Sequence, residues 1–118
     1  MWDKYQKTLN SETSFSGIGL HSGIKVDVTL IPGNSNSGIV FKRIDLEKDN
    51  EIVANFKNVS SAKLCTKIEN NHGVSVSTIE HLLAAFYVCG IDNIVVNLNG
   101  PEVPIMDGSA KEFVKIIN

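Results

Sequence analysis

The sequence predicts an α+β fold with two layers, in which a mostly antiparallel sheet is covered on one face by two helices. Two observations lead to this prediction. Strand patterns are grouped in the first part of the chain, and the two helical patterns follow them, separated by one apolar strand. Strands grouped ahead of helices are typical of α+β folds. The chain shows no repeat, linker or low-complexity segment, so residues 1–118 are predicted to form a single domain.

The first strand patterns lie between residues 8 and 44. Residues 8–16 are rich in Thr and Ser and suit a strand, and residues 25–30 alternate between apolar and polar side chains. A turn sequence at residues 32–38 separates that second strand from a third one at residues 39–44. Two alternating strands joined by a short loop with Pro and Gly are typical of a β-hairpin. The sequence therefore predicts that the second and third strands pair directly.

The middle of the chain contains short strands and connections. Residues 45–51 are predicted to form a charged surface segment, and the short apolar runs at residues 52–56 and 74–76 predict further strands. Residues 59–64 lead into residues 65–68 and then into a turn. His72 lies in an Asn- and Gly-rich turn and is interpreted as a solvated residue.

A helix is predicted over residues 77–88, and its apolar residues occupy nearly the whole circumference. At about 100° per residue, one arc holds the larger apolar side chains, and the opposite arc holds Ala84, Ala85 and Val88. A helix that is apolar all round is buried on both sides. We therefore do not expect this helix to lie on a surface.

The last predicted elements are a buried strand and a short helix. Gly90 is expected to end the helix, and residues 91–98 read as a buried strand. Ser109 and Glu112 have the spacing of a capping box and predict a final helix. Its apolar stripe consists of Phe113, Ile116 and Ile117.

Composition excludes several classes of function. The net charge is −2, from 11 basic and 13 acidic side chains, so no electrostatic footprint for nucleic acid or an anionic membrane is present. Cys65 and Cys89 have no CxxC companion, which argues against a zinc ribbon or a disulfide framework. The sequence has no apolar run long enough to span a membrane and no signal core near its beginning. We expect a cytoplasmic protein.

Glu80 and His81 are adjacent polar residues within the apolar helix, and each has two interpretations. Glu80 could be the third helical position of a capping box that begins at Ser77. His81 could be a core histidine bonded to a backbone carbonyl. Alternatively, His81 binds a metal ion and Glu80 accepts a proton beside it, since a metal lowers the pKa of water and a nearby base completes the chemistry.

Three glycines within residues 17–23 predict a tight connection that carries His21. A glycine-rich loop can bind phosphate, but this one has no Walker lysine and does not begin a helix. His21 is interpreted either as a turn residue or as a contact at the edge of a site.

Five segments together resemble one known family. They are GIGLHSG at 17–23, GIVF at 38–41, STIEHLLAA at 77–85, GIDN at 90–93 and EVPIMDGS at 102–109. In this order they are similar to the amino-terminal half of the UDP-3-O-acyl-N-acetylglucosamine deacetylases, the zinc enzymes of bacterial lipid A synthesis. The resemblance covers residues 6–118.

This resemblance implies a hydrolase that removes the N-acetyl group from a UDP-linked acylated glucosamine and releases acetate. By the match, Glu80 corresponds to the general base and His81 to a ligand of Zn²⁺. Leu64 and Cys65 correspond to a segment at the mouth of the active site, where they are expected to contact substrate. His21 is expected to lie near the substrate path.

The resemblance also implies a missing part. The family's other zinc ligands, a histidine and an aspartate, lie in a second half with no counterpart in this sequence, and catalytic zinc usually needs three protein ligands. We therefore expect an isolated or truncated domain that is inactive alone, whose partner is the enzyme's own second domain. The alternative is a non-catalytic binding or assembly module with the same fold. Separated from its partner, the exposed face of the helix is expected to favour self-association.

Overall fold

The structure, a computed structural model, describes residues 5–55, 58–61 and 66–118. Within these residues the chain forms eight strands and two helices. In chain order they are β1 (Thr13–Ile18), β2 (Lys25–Pro32), β3 (Ile39–Arg43), β4 (Glu51–Val53), β5 (Val59–Ser61), β6 (Lys67–Glu69), β7 (Ser75–Ser77), α1 (Glu80–Cys89), β8 (Ile94–Leu98) and α2 (Lys111–Ile117).

The larger sheet has five strands in the order β1-β2-β8-β3-β4. β3 and β8 are parallel, and the other three neighbouring pairs are antiparallel. The two helices pack against each other. The predicted fold class, α+β with a mostly antiparallel sheet and two covering helices, is confirmed.

The predicted hairpin between the second and third strands is wrong. β8 lies between β2 and β3, pairing Leu30 with Val96 on one side and Phe41 with the same Val96 on the other. Alternation shows which face of a strand is buried, but it does not identify the neighbouring strand. β8 contributes three fully buried residues, Ile94, Val96 and Leu98, and this apolar strand takes the centre of the sheet.

One apolar core joins the sheet to the helices. The sheet side chains in it include Val26, Val28, Leu30, Phe41, Ile52, Ile94, Val96 and Leu98. From the helices, Leu82, Ala85 and Phe86 of α1 and Phe113 of α2 enter the same core. The ring of Phe113 lies 5.3 Å from the ring of Phe15 on β1, measured between centroids. Neither α1 nor α2 combines the length and the apolar character that crossing a membrane requires.

A smaller sheet of β5, β6 and β7 leads into α1. Ile68 pairs with Val76 across this sheet, and both side chains are buried. After β7, Thr78 turns the chain with a φ of 60°. This is a left-handed conformation that β-branched residues rarely adopt, and it costs about 1–3 kcal/mol. The chain therefore enters α1 through a strained turn that other contacts must hold.

The helix α1 begins at Glu80, three residues later than predicted, and the capping box at Ser77 is wrong. Ser77 is the last residue of β7, where its N–H donates to the carbonyl of Pro101, and no side chain that the structure describes caps the helix. The predicted stop is confirmed, since Gly90 ends the helix with a φ of 72°. The capping interpretation of Glu80 is therefore excluded.

The start of α2 agrees only in part with the predicted capping box. The hydroxyl of Ser109 accepts a hydrogen bond from the N–H of Lys111 at 3.2 Å, and Asp107 Oδ1 in turn accepts from Ser109. No return bond from Glu112 is found within the described residues. Phe113 is the buried member of the predicted stripe, and Ile116 and Ile117 are half-buried.

Candidate functional site

Among the described residues, Glu80 has a hydrogen-bond partner for only one of its two carboxylate oxygens. Oε2 accepts a hydrogen bond from the N–H of Thr66 at 3.3 Å. Oε1 is buried, and no residue that the structure describes donates to it. An acceptor that is buried without a partner is costly, and such groups often mark sites with a chemical role. The described part of the fold thus holds one oxygen of this carboxylate and supplies no donor to the other.

His81 lies next along α1, about 100° further around the helix axis. Its side chain is half-buried. In the part of the chain that the structure describes, no hydrogen bond or ion pair occupies its imidazole. Within the described residues, neither ring nitrogen of His81 therefore has a partner.

The side of α1 between Glu80 and His81 faces away from the core. Tyr87 is 87% exposed and Val88 is 69% exposed, and Ala84 is exposed as well. We call Ala84, Tyr87 and Val88 the outer face of α1. The prediction of an open second face is confirmed for Ala84 and Val88 but wrong for Ala85, which is fully buried. Ala85 is small enough to lie close to the core at the edge of the apolar arc.

The loop that carries His21 has a defined backbone conformation. Gly19 donates its N–H to the carbonyl of Ile24 at 3.0 Å, and Gly23 donates to the carbonyl of Gly19 at 3.0 Å. Gly23 has a φ of 69°, which favours glycine at this position. The His21 side chain is exposed. The predicted tight turn is confirmed, and it presents the imidazole to the outside.

Glu102 is the residue that the sequence interpretation missed. Its side chain is 1% exposed. Oε1 accepts from the N–H of Ser22 at 2.9 Å, both oxygens lie 3.1 Å from the N–H of His21, and Oε2 accepts from the Thr78 hydroxyl at 2.6 Å. We call these contacts the Glu102 clamp. A charged residue between Pro101 and Val103 was the available signal, because a lone charge in such a setting needs partners.

The hydrogen bonds of the clamp determine the protonation of Glu102. Burial acts to raise the pKa of this carboxyl group, but the bonds from Thr78, Ser22 and His21 outweigh it and hold the pKa below its ordinary value. A folded-state pKa below the unfolded one stabilises the fold above the unfolded-state pKa. That contribution is lost as the pH falls through the folded-state pKa. The Glu102 carboxyl group at the centre of the clamp is therefore ionised at neutral pH.

The described residues supply part of a zinc site at most. No group of three His, Cys, Asp or Glu side chains within residues 5–55, 58–61 and 66–118 could hold a metal ion together. His81, a half-buried imidazole with no partner among these residues, has donor chemistry that fits one zinc ligand. Leu64 and Cys65, the other predicted substrate contacts, lie outside the described residues.

Comparison with known proteins shows the family to which the chain belongs. Residues 6–118 match the family model for UDP-3-O-acyl N-acetylglycosamine deacetylase. The chain belongs to this deacetylase family. A relative from Geotalea uraniireducens, named UDP-3-O-acyl-N-acetylglucosamine deacetylase, is 55% identical over 94% of the chain. Deacetylases of the same name from Blochmanniella floridana and Wigglesworthia glossinidia brevipalpis are 50% and 46% identical, each over 95% of the chain.

The match covers only part of each deacetylase. It spans 36% of the Geotalea relative and 38% of the other two. The family membership predicted from the five segments is confirmed.

Proposed function

We propose that this chain provides the general base, Glu80, and one zinc ligand, His81, of a deacetylase that removes the N-acetyl group from a UDP-linked acylated glucosamine. The observation that carries the proposal is the buried Oε1 of Glu80, to which no described residue donates, beside a histidine that has no described partner. The names of the relatives supply the substrate class.

Glu80 is suited to move a proton. The Thr66 N–H donates to Oε2, and no described residue donates to Oε1, which in this proposal accepts a proton from water. The resulting nucleophile adds to the acetyl carbonyl, and cleavage of the C–N bond gives acetate and the free amine. A proton held at Oε1 is then available to that leaving nitrogen.

His81 binds Zn²⁺ in this proposal, together with ligands from outside the described residues. When bound, zinc acts as a Lewis acid that lowers the pKa of water and polarises a carbonyl oxygen. His81 and Glu80 occupy consecutive positions of α1, so in this proposal their side chains flank the bound water from two directions.

Substrate contacts are proposed for three further residues. The exposed imidazole of His21 stands on a hydrogen-bonded loop, where it can meet a polar part of the substrate. Leu64 and Cys65 are proposed to border the entrance to the site.

The proposal predicts that a hybrid, in which residues 6–118 replace the matching segment of the Geotalea relative, releases acetate from UDP-3-O-acyl-N-acetylglucosamine.

A metal titration separates this chain's own zinc affinity from that of a complete site. We expect the metal-stripped chain and its His81→Ala variant to show only weak or absent Zn²⁺ binding in calorimetry, because one imidazole does not make a catalytic zinc site. The hybrid is expected to bind one zinc tightly, and its His81→Ala variant to lose that affinity. Tight, stoichiometric binding by the chain alone would contradict the proposal that the other ligands come from elsewhere.

The outer face of α1 is proposed to be covered by the remaining part of a family-length protein. Tyr87 and Val88 are apolar and largely exposed, and they lie on the same helix as Glu80 and His81. For the chain alone, we expect sedimentation velocity to show concentration-dependent self-association, which Val88→Asp weakens. A clean monomer over a wide concentration range would contradict this assignment of the face.

A further inference from the structure

The entry into α1 and the loop of His21 are distant in sequence but meet at one carboxylate. Thr78, two residues before Glu80, donates its hydroxyl to the carboxylate of Glu102. The Glu102 carboxylate also accepts the N–H groups of His21 and Ser22. Thr78 is 4% exposed, so water cannot easily replace its bond to the carboxylate. The Glu102 clamp thus joins two segments that carry proposed site residues.

The backbone around Glu102 is fixed independently of its side chain. Ser77 and Glu102 form a parallel bridge, in which Ser77 donates to the carbonyl of Pro101 and accepts from the N–H of Val103. Gly19 lies so close to the Glu102 and Ser22 side chains that a Cβ at this position would collide with both. Backbone hydrogen bonds therefore hold the main chain next to the Glu102 carboxylate, and the loop at Gly19 packs closely against that carboxylate.

The clamp also acts where the chain is strained. Thr78 holds a left-handed φ of 60°, and the hydrogen bond at 2.6 Å fixes its side chain in that conformation. Strained conformations persist when their surroundings over-determine them, and they cluster at functional sites. The direction in which α1 begins follows from this turn.

We propose that Glu102 is a positioning residue, which holds the His21 loop and the Thr78 turn in one arrangement and thereby sets Glu80 and His81 relative to His21. The catalytic consequence rests on the proposed function. Reacting groups must be held to within a fraction of an ångström, and a misplacement of about 1 Å can cost about 10²-fold in rate. Glu102 itself is not expected to contact substrate, since it is buried and all of its contacts are internal.

The proposal is tested first by NMR on the chain as it is, without any assay of activity. Glu102→Gln keeps the shape of the side chain but replaces one acceptor oxygen by an NH₂ group. We expect hydrogen exchange at the His21 and Ser22 amides to accelerate at least about 10-fold, as loss of a bond to a charged acceptor implies. We also expect the His81 ring resonances to shift. The control Glu47→Gln, which neutralises an exposed carboxylate, should change neither.

A second pair of variants keeps Glu102 in place and tests the coupling from the other end. Thr78→Val removes the hydroxyl, and Thr78→Ser retains it. We expect Thr78→Val to raise the pKa of Glu102, followed through its carboxyl ¹³C resonance, and to shift the His21 and Ser22 amides. Thr78→Ser should leave both close to wild type. This pair remains informative if Glu102→Gln does not fold.

The two segments would be shown to be uncoupled if Glu102→Gln changed only residues 19–23 and Thr78→Val changed only residues 77–81. Glu102 would then be a local anchor of the loop, and the proposal would be overturned.

In the hybrid, Glu102→Gln is expected to lower kcat about 10-fold at unchanged zinc content. An inactive hybrid would argue against the proposed deacetylase function but would leave the NMR result standing, so the two failures are distinguishable.

Discussion

Replacing Glu80 by Gln in the hybrid with the Geotalea relative is expected to reduce kcat by about 10²-fold or more. Gln has nearly the same shape as Glu, and its side-chain oxygen can still accept the N–H of Thr66. It cannot accept a proton from water at the position of the free Oε1. The measurement is the rate of acetate release under saturating substrate, with the zinc content of each preparation determined in parallel.

The matched control is Glu47→Gln, which removes one negative charge from an exposed position on the same domain. It should leave kcat within about twofold, because its charge is screened by solvent. If Glu80→Gln retained nearly full turnover with normal zinc content, Glu80 would not be the general base. The unpartnered oxygen would then need a different explanation.

Replacing Phe86 by Ala is expected to destabilise the chain by about 3–5 kcal/mol. Phe86 is fully buried, on the side of α1 that enters the common core of sheet and helices. Its removal leaves a cavity that the surrounding strands cannot fill without moving. Since small domains are stable by only about 5–15 kcal/mol, much of the stability is lost. Urea unfolding followed by circular dichroism measures the change.

The neighbouring residue provides the control. Tyr87 is also a large aromatic residue in the same helix, but it is 87% exposed, so Tyr87→Ala should change the free energy of unfolding by less than about 0.5 kcal/mol. Comparable losses for the two variants would mean that α1 is not oriented as described. The pair also tests the outer face of α1. Tyr87→Ala should weaken self-association, whereas Phe86→Ala removes no side chain from that face.

The fold class was predictable from the sequence because it depends on local periodicity. Alternation in β2 placed Val26, Val28 and Leu30 on one face, and all three are buried in the core. The neighbours of β2 were not predictable, because pairing is decided between segments far apart in the chain. β8 entered between β2 and β3 and replaced the expected hairpin.

Part of the candidate site was likewise accessible to sequence reasoning. Glu80 and His81 stood out because two polar side chains are adjacent in an apolar helix, and the family resemblance gave them roles that stay proposals. The start of α1 was misplaced, since Ser77 has the side chain of a cap but forms a strand-like bridge with Glu102, in which its N–H donates to the carbonyl of Pro101. A local motif competes with tertiary hydrogen bonds, and here the tertiary bonds prevailed.

The sequence by itself determined the α+β class, the family and the adjacency of Glu80 and His81, because each of these follows from residues that are neighbours in the chain or from their order. Only the tertiary structure decided the central place of β8, the burial of Ala85 and the meeting of His21, Ser22 and Thr78 at Glu102. Those features depend on which distant segments come into contact. A buried carboxylate needs partners, but only the folded chain specifies which groups supply them.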